Sequence, residues 1–323
     1  MRRLLLVLVL LLPGVARAAD IVDATGRTVS IPEHVARILP AGPPAAVLLL
    51  ALAPDLLLGL PMEVSPEARA WLSPEAAALP KVPRLTGKQD VTEQVAALQP
   101  DLIVDYGDVT PAYNELARKT QYRLGVPTIL LDGALARTPE VLRLLGRALH
   151  REVRAEVLAR LAEGVLALQV SADRRTVVYL RGAGDVRAVT QGVGASEVFA
   201  RLGWTVLAPP DGGAFRPVTL AQVAAFGPDV LLFQDEKMRD AVAASDGWRA
   251  LRAVRTGHAR IAPAQPFGWV EEPPSLNRLL GLAWLGGQSA DAVAASVGAV
   301  LYGHTPTAAQ LDAVVAASRP LPP

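Results

Sequence analysis

The sequence predicts an α/β fold: two Rossmann-like lobes with parallel sheets, joined by one long α-helix. Three observations predict it. First, Glu93 to Gly107 (EQVAALQPDLIVDYG) and Ala221 to Asp235 (AQVAAFGPDVLLFQD) share six of 15 positions at a constant offset of 128. Second, apolar residues recur at helical spacing between the two copies, from Val141 to Leu168, with Arg and Glu on the other face. Third, strand and helix patterns alternate on both sides of that stretch, as in parallel sheets covered by helices.

The elements follow in order. Arg2 and Arg3 precede a wholly apolar run, Leu4 to Leu12, closed by Pro13 and Gly14. Ala16-Arg17-Ala18 then fits a small-x-small cleavage site, so residues 1–18 read as a cleaved signal peptide. The run is too short for a membrane span, which needs roughly 20 residues. With no cysteine at the cleavage point, the mature chain is expected free in the periplasm and not as a lipoprotein. The N-terminal lobe, 19–136, opens with a strand at Val35 to Leu39, a Gly-containing loop and an apolar helix. The first repeat copy supplies an amphipathic helix, a Pro-Asp turn (Pro100, Asp101) and an apolar strand. Over 137–170 the pattern predicts an interlobe helix: Thr138 suits the N-cap, Pro139 the first turn and Glu140 the positive end of the dipole. Around 30 helical residues would span roughly 45 Å. The C-terminal lobe, 171–323, restarts with a strand at Arg175 to Leu180, and the second copy repeats the Pro-Asp turn at Pro228 and Asp229.

Composition limits what such a chain can do. The net charge of +1 over 323 residues gives no electrostatic footprint for nucleic acid. With no cysteine, thiolate metal sites and cysteine nucleophiles are impossible. His34, His150, His258 and His304 are scattered, so a bare Zn or Ni ion is a poor ligand. No G-x-S-x-G, H-E-x-x-H or Walker pattern is present. Gly182-Ala183-Gly184 starts a dinucleotide fingerprint, but Arg187 stands where the third glycine belongs. No enzyme activity and no cofactor are expected.

The start of the mature chain, Asp23-Ala24-Thr25-Gly26-Arg27-Thr28-Val29 with Pro32, resembles the substrate-binding proteins of ABC importers for iron–siderophores, haem, cobalamin and related metal complexes. Leu98-Gln99-Pro100-Asp101-Leu102-Ile103 and Gly125-Val126-Pro127 resemble later blocks of the same family. The resemblance runs over essentially the whole mature chain. It implies a monomeric periplasmic protein that captures a small molecule, a ferric siderophore or similar chelate, between its lobes. The partner it implies is an inner-membrane permease with its ATPase. Related ligands, a molybdate- or tungstate-type oxyanion, a corrinoid or haem, are the alternatives, and a periplasmic ligand sensor is the alternative from another class. Glu93 matches the permease-docking carboxylate of the first lobe; Ala221 stands at the equivalent place in the second. The segment from Trp269 to Leu282, with Pro273-Pro274-Ser275-Leu276-Asn277-Arg278, resembles a subgroup linked to metal and oxyanion uptake.

Ligands of doubly wound sheets sit beyond the carboxyl ends of the strands. The ligand-binding candidates at those ends are Pro43, Thr86, Lys88 and Tyr106 in the first lobe, with Arg181, Gln234, Phe267 and Trp269 in the second. Phe267 and Trp269 offer flat apolar surface, and Arg181 and Lys88 offer positive charge. Glu271 and Glu272 read as a solvated pair, and Ser275 as an N-cap. No residue is assigned to a metal.

Overall fold

The computed structural model describes residues 19–87, 89–168, 174–182, 184–190, 194–207 and 214–321. The signal segment 1–18 and Lys88 lie outside these residues. Among the described residues no helix is long and apolar enough to cross a membrane.

The chain opens with an antiparallel hairpin, β1 (Ala19–Val22) and β2 (Thr28–Ile31). In its turn the buried Asp23 carboxylate takes hydrogen bonds from the Thr25 amide (2.9 Å), the Thr25 hydroxyl (2.7 Å) and Arg27. Arg27 also donates to the Thr128 carbonyl at 3.0 Å. The motif at the mature start therefore pins the hairpin onto the first sheet. That sheet is parallel, in the order β3 (Ile38–Pro40), β4 (Leu102–Gly107), β5 (Thr128–Asp132). The second sheet runs β11 (Ala259–Ile261), β10 (Val230–Phe233), β6 (Thr176–Arg181), β7 (Arg187–Val189), β9 (Phe215–Pro217), with β8 (Thr205–Val206) also pairing β6. It is not wholly parallel as the alternation predicts: β7 is antiparallel to both β6 and β9. The short reach from Arg181 to Arg187 leaves no room for the crossover a parallel pair requires.

The repeat is structural. In each copy a short helix, Thr92–Ala97 or Leu220–Phe226, leads through the Pro-Asp turn into a central strand, β4 or β10. The two aspartates do the same work. Asp101 accepts from the Ala36 and Arg37 amides, each at 2.9 Å, where β3 begins. Asp229 accepts from the Thr176 amide at 2.8 Å, where β6 begins. Each carboxylate thus sets the register between neighbouring parallel strands.

The predicted single helix over 137–170 is instead two helices, Thr138–Ala148 and Glu152–Leu166, folded back on each other. The chain reverses at Leu149–Arg151, where His150 takes a left-handed φ of +53°. The reversal carries no glycine or proline, so periodicity alone runs straight through it; histidine is among the few residues that tolerate this conformation. Gly146 is what lets the helices touch: a Cβ there would lie 2.3 Å from the Ala155 Cβ. Arg143 joins them further, binding Glu156 (2.7 Å) and Glu163 (2.6 Å). Only the second helix leads to the other lobe, and its 15 residues cover roughly 22 Å at 1.5 Å each. Thr138 does not cap; the cap position falls on Arg137.

The helix Pro43–Leu52 is buried along Ala45–Leu52, as a helix apolar all round must be. It sits in one continuous core with Ile38 and Val104 of the first sheet, Val177, Tyr179 and Leu232 of the second, and Leu279 and Leu301 of the C-terminal helices. Alternate residues of β6, Val178 and Leu180, face a separate core under the second lobe. One face of each sheet therefore turns to a shared interior. Arg154 on the connecting helix reinforces the join, donating to the carbonyls of Ala51 (2.8 Å) and Val300 (2.6 Å).

Candidate functional site

A cavity of about 140 Å³ lies between the lobes, at the carboxyl end of β4 on one side and against the start of β9 and the Glu271–Arg278 segment on the other. The first lobe contributes Arg84, Thr86, Asp105, Tyr106 and Tyr113 to its wall; the second contributes Phe215, Glu271, Pro274 and Arg278. Each side chain is placed by an identifiable element. β4 carries apolar residues up to its last turn and then delivers Asp105, Tyr106 and Gly107 at its carboxyl end. Thr86 is held by backbone: its amide and that of Leu85 both donate to the Ala41 carbonyl, at 3.1 and 2.9 Å. The approach is close enough to require glycine at position 42, where a Cβ would meet the Thr86 hydroxyl at 2.6 Å. Arg84 donates from Nε to that hydroxyl at 2.9 Å.

Two buried carboxylates face the cavity, one from each lobe. Asp105 is 5% exposed, and one of its oxygens accepts from the Tyr106 amide at 2.9 Å. Burial pushes its carboxyl up to about 6. Glu271 is 6% exposed, and burial pushes it up to about 7 against the pull of Arg181. Arg181 lies 3.4 Å from that carboxylate, with its guanidinium 3.5 Å above the Phe215 ring. The Tyr106 hydroxyl is fully buried, beside the Thr138 hydroxyl and the Arg278 guanidinium, and neither hydroxyl makes a hydrogen bond of good geometry. A buried hydroxyl without a well-formed hydrogen bond is costly, of the order of 1–3 kcal/mol. Burial also pushes the Tyr106 phenol up, with the charge of Arg278 opposing it.

The sequence-derived candidates divide three ways. Thr86 and Tyr106 line the cavity. Pro43 starts its helix beside Pro44, and Pro44 is the one on the wall. Arg181 and Gln234 stand at strand ends as expected, yet each is occupied, Arg181 by Glu271 and Phe215, Gln234 by Glu272. Phe267 and Trp269 are corrected: both belong to the core. Trp269 is 0% exposed, donates from Nε1 to the Gln265 carbonyl at 2.9 Å, and meets Trp284 edge-on. Phe267 packs edge-on against Tyr302. Their large apolar area is worth more inside than at a wet cleft.

The pairing of Glu271 with Glu272 as solvated residues is also corrected, since only Glu272 is exposed. Ser275 does not cap the following helix, whose cap position is Asn277; its hydroxyl donates to the Pro44 carbonyl of the first lobe at 2.7 Å. Arg84 and Tyr113 carried no signal in the sequence. Asp105 stood in a strand-end group with Tyr106, Glu271 read as one of a solvated pair, and Arg278 lay in the distinctive Trp269–Leu282 segment without a role of its own. Among the described residues no three His, Asp or Glu side chains are placed to hold a metal ion. Glu93 is exposed in the first turn of its helix, and Ala221 is exposed at the matching place in the other lobe.

The sequence matches a family described as periplasmic binding protein over residues 62–266. No curated protein matches it in sequence. Among solved structures it is similar to an ABC transporter solute binding protein from Sulfurospirillum deleyianum, with a TM-score of 0.81 at 23% identity, covering 91% of this chain and 98% of that one. A periplasmic solute binding protein from Veillonella parvula follows, with a TM-score of 0.69 at 19% identity and coverage of 92% and 97%. The molybdate-bound periplasmic binding protein MolA of Haemophilus influenzae has a TM-score of 0.65 at 18% identity and coverage of 90% and 99%.

Proposed function

Since the chain belongs to the periplasmic binding protein family, we propose that it is the solute-binding component of an ABC importer and captures a compact metal complex in the cavity between its lobes. The observation that carries this reading is the wall itself: buried polar groups from both lobes, the Asp105 and Glu271 carboxylates among them, converge on one interlobe space. Oxygen donors of this kind, with an aromatic ring at Tyr113 and another at Phe215, suit the polar and apolar faces of a chelate.

Charge separates the metal complex from a free oxyanion. Arg278 is already paired with Glu197 and Arg181 with Glu271. Among the described residues, Arg84 alone of the three has no carboxylate partner, and it shares the wall with Asp105 and Asp108. A doubly charged anion would meet about as much negative as positive charge there, whereas a near-neutral or cationic complex would not. Size acts in the same direction as compactness. About 140 Å³ is below the 300–1,000 Å³ of ordinary ligand pockets, so the cavity takes a small chelate or one moiety of a larger one.

No bond is made or broken in this cycle; the solute is bound, carried to the permease and released there. Residues 1–18 serve as the export signal in this reading. Glu93 faces basic residues of the permease, so Glu93→Ala should impair uptake while leaving solute binding unchanged. The direct test of the ligand reading is native mass spectrometry of the protein purified from the periplasm of its own host. Tyr106→Phe and Asp105→Asn should each weaken retention of the co-purified solute by roughly tenfold, the worth of a buried hydrogen bond. Undiminished retention in both variants would remove the cavity from the mechanism.

A further inference from the structure

Arg278 is 1% exposed, at the start of the helix Arg278–Leu285, and its guanidinium donates in four directions. Nε reaches the Ser275 carbonyl at 3.2 Å. One terminal nitrogen reaches the Gly194 carbonyl at 3.1 Å and the Glu197 carboxylate at 2.5 Å. The other reaches the Gly133 carbonyl, in the first lobe. The same oxygen of Glu197 accepts from the Leu135 amide at 2.9 Å, so the carboxylate also crosses between the lobes. Gly133, Gly194 and Pro274 all line the cavity. Neither glycine tolerates a side chain: a Cβ at Gly133 would lie 2.6 Å from the Gly107 Cα, and one at Gly194 would lie 2.8 Å from the Pro274 Cβ. Three segments of cavity wall, drawn from both lobes, are therefore packed to contact around one ion pair.

We propose that the Glu197–Arg278 pair is the positioning element of the site: it fixes the separation of the two lobes, and with it the width of the cavity, before any solute arrives. This rests on the cavity being the ligand site, but its geometric content does not depend on which solute binds. Arg278 is buried while Glu197 is about one-third exposed, so desolvation and solvent screening offset much of the Coulomb attraction, and the attested use of such a pair is to specify one arrangement over others. Here the specified arrangement is a spacing. A planar guanidinium with donors in fixed directions can hold acceptors from different segments at once, whereas a lysine ammonium on a flexible stem cannot.

The test uses spin-label distances in the solute-free protein. The chain has no cysteine, so Glu93→Cys and Ala221→Cys place one nitroxide on each lobe at exposed positions without further changes. The parent pair should give one narrow distance distribution. Glu197→Gln, which keeps the side-chain shape and removes the charge, should broaden that distribution about twofold or shift it. Arg278→Lys should do the same, and exchange of the Leu135 amide should accelerate by roughly tenfold in both. Val198→Ala on the same helix supplies the control: it trims a buried core side chain and touches neither charge. It should lower the melting temperature and leave the distances unchanged. Unaltered distributions in Glu197→Gln would overturn the positioning role, also where Arg278→Lys fails to fold. That result would leave the ligand reading intact, because the ligand reading fails only if Tyr106→Phe and Asp105→Asn still retain solute.

Discussion

Glu271 and Glu272 show how little a residue's type says about its charge state. They are adjacent and identical, yet Glu271 is buried at the cavity and Glu272 is exposed and bonded to Gln234. The folded protein holds the Glu271 proton more tightly than the unfolded chain does, with a pKa near 7 against 4.5. Its favourable contribution is therefore complete below about pH 4.5 and is lost as the pH rises through 7. Glu271→Gln should accordingly raise stability at pH 8, by about 3 kcal/mol given roughly 1.4 kcal/mol per pKa unit, and change little at pH 4. Arg181 is not stranded by the change, being one-third exposed and stacked on Phe215. Thermal melts at the two pH values check this, and equal shifts at both would refute it. Tyr106 was legible as a cavity-lining residue because β4 ends there, whereas Thr86 reaches the cavity from a turn pinned to the Ala41 carbonyl. Phe267 and Trp269 were not legible as core residues, because their fate depends on packing against Tyr302 and Trp284 of the following helices, 35 and 15 positions on.

At the scale of elements, duplication was legible and reversal was not. The Pro-Asp turns could be matched by eye, and the structure gives their reason: each aspartate closes the start of the neighbouring strand. The helical reversal at His150 left no mark in the apolar periodicity, since both helices bury one stripe and the break contains no glycine or proline. Its determinant is the contact between Gly146 and Ala155. Gly146→Ala should therefore destabilise the protein by about 1–3 kcal/mol through overpacking. Helix propensity by itself predicts the opposite, a gain of roughly 1 kcal/mol. Urea midpoints separate the two expectations, and adding Ala155→Gly should recover much of the loss. A Gly146→Ala variant more stable than the parent would show that the hairpin does not depend on this contact.

At the scale of the molecule, the lobes are two sheets on one interior. Val104, Val177, Phe199, Leu279 and Leu301 belong to a single core that crosses the boundary, and Arg154, Ser275 and Arg278 add hydrogen bonds across it. Calorimetry should therefore record one cooperative transition with matching calorimetric and van't Hoff enthalpies. Two resolved transitions would mean that each lobe is stable without the shared core. Restraint of lobe motion follows from this interior and its bolts more than from the connecting helix, which is half the length that the sequence pattern suggests.

The sequence by itself determined the α/β class, the duplication and the family resemblance. These are properties of local pattern, and local pattern is written along the chain. Only the tertiary structure decided which carboxylates are buried, where the helix turns back, and which arginine joins the lobes. Arg278 meets Gly133 across 145 positions and Ser275 meets Pro44 across 231. Burial and pairing at such separations are set by packing, which no local window of residues contains.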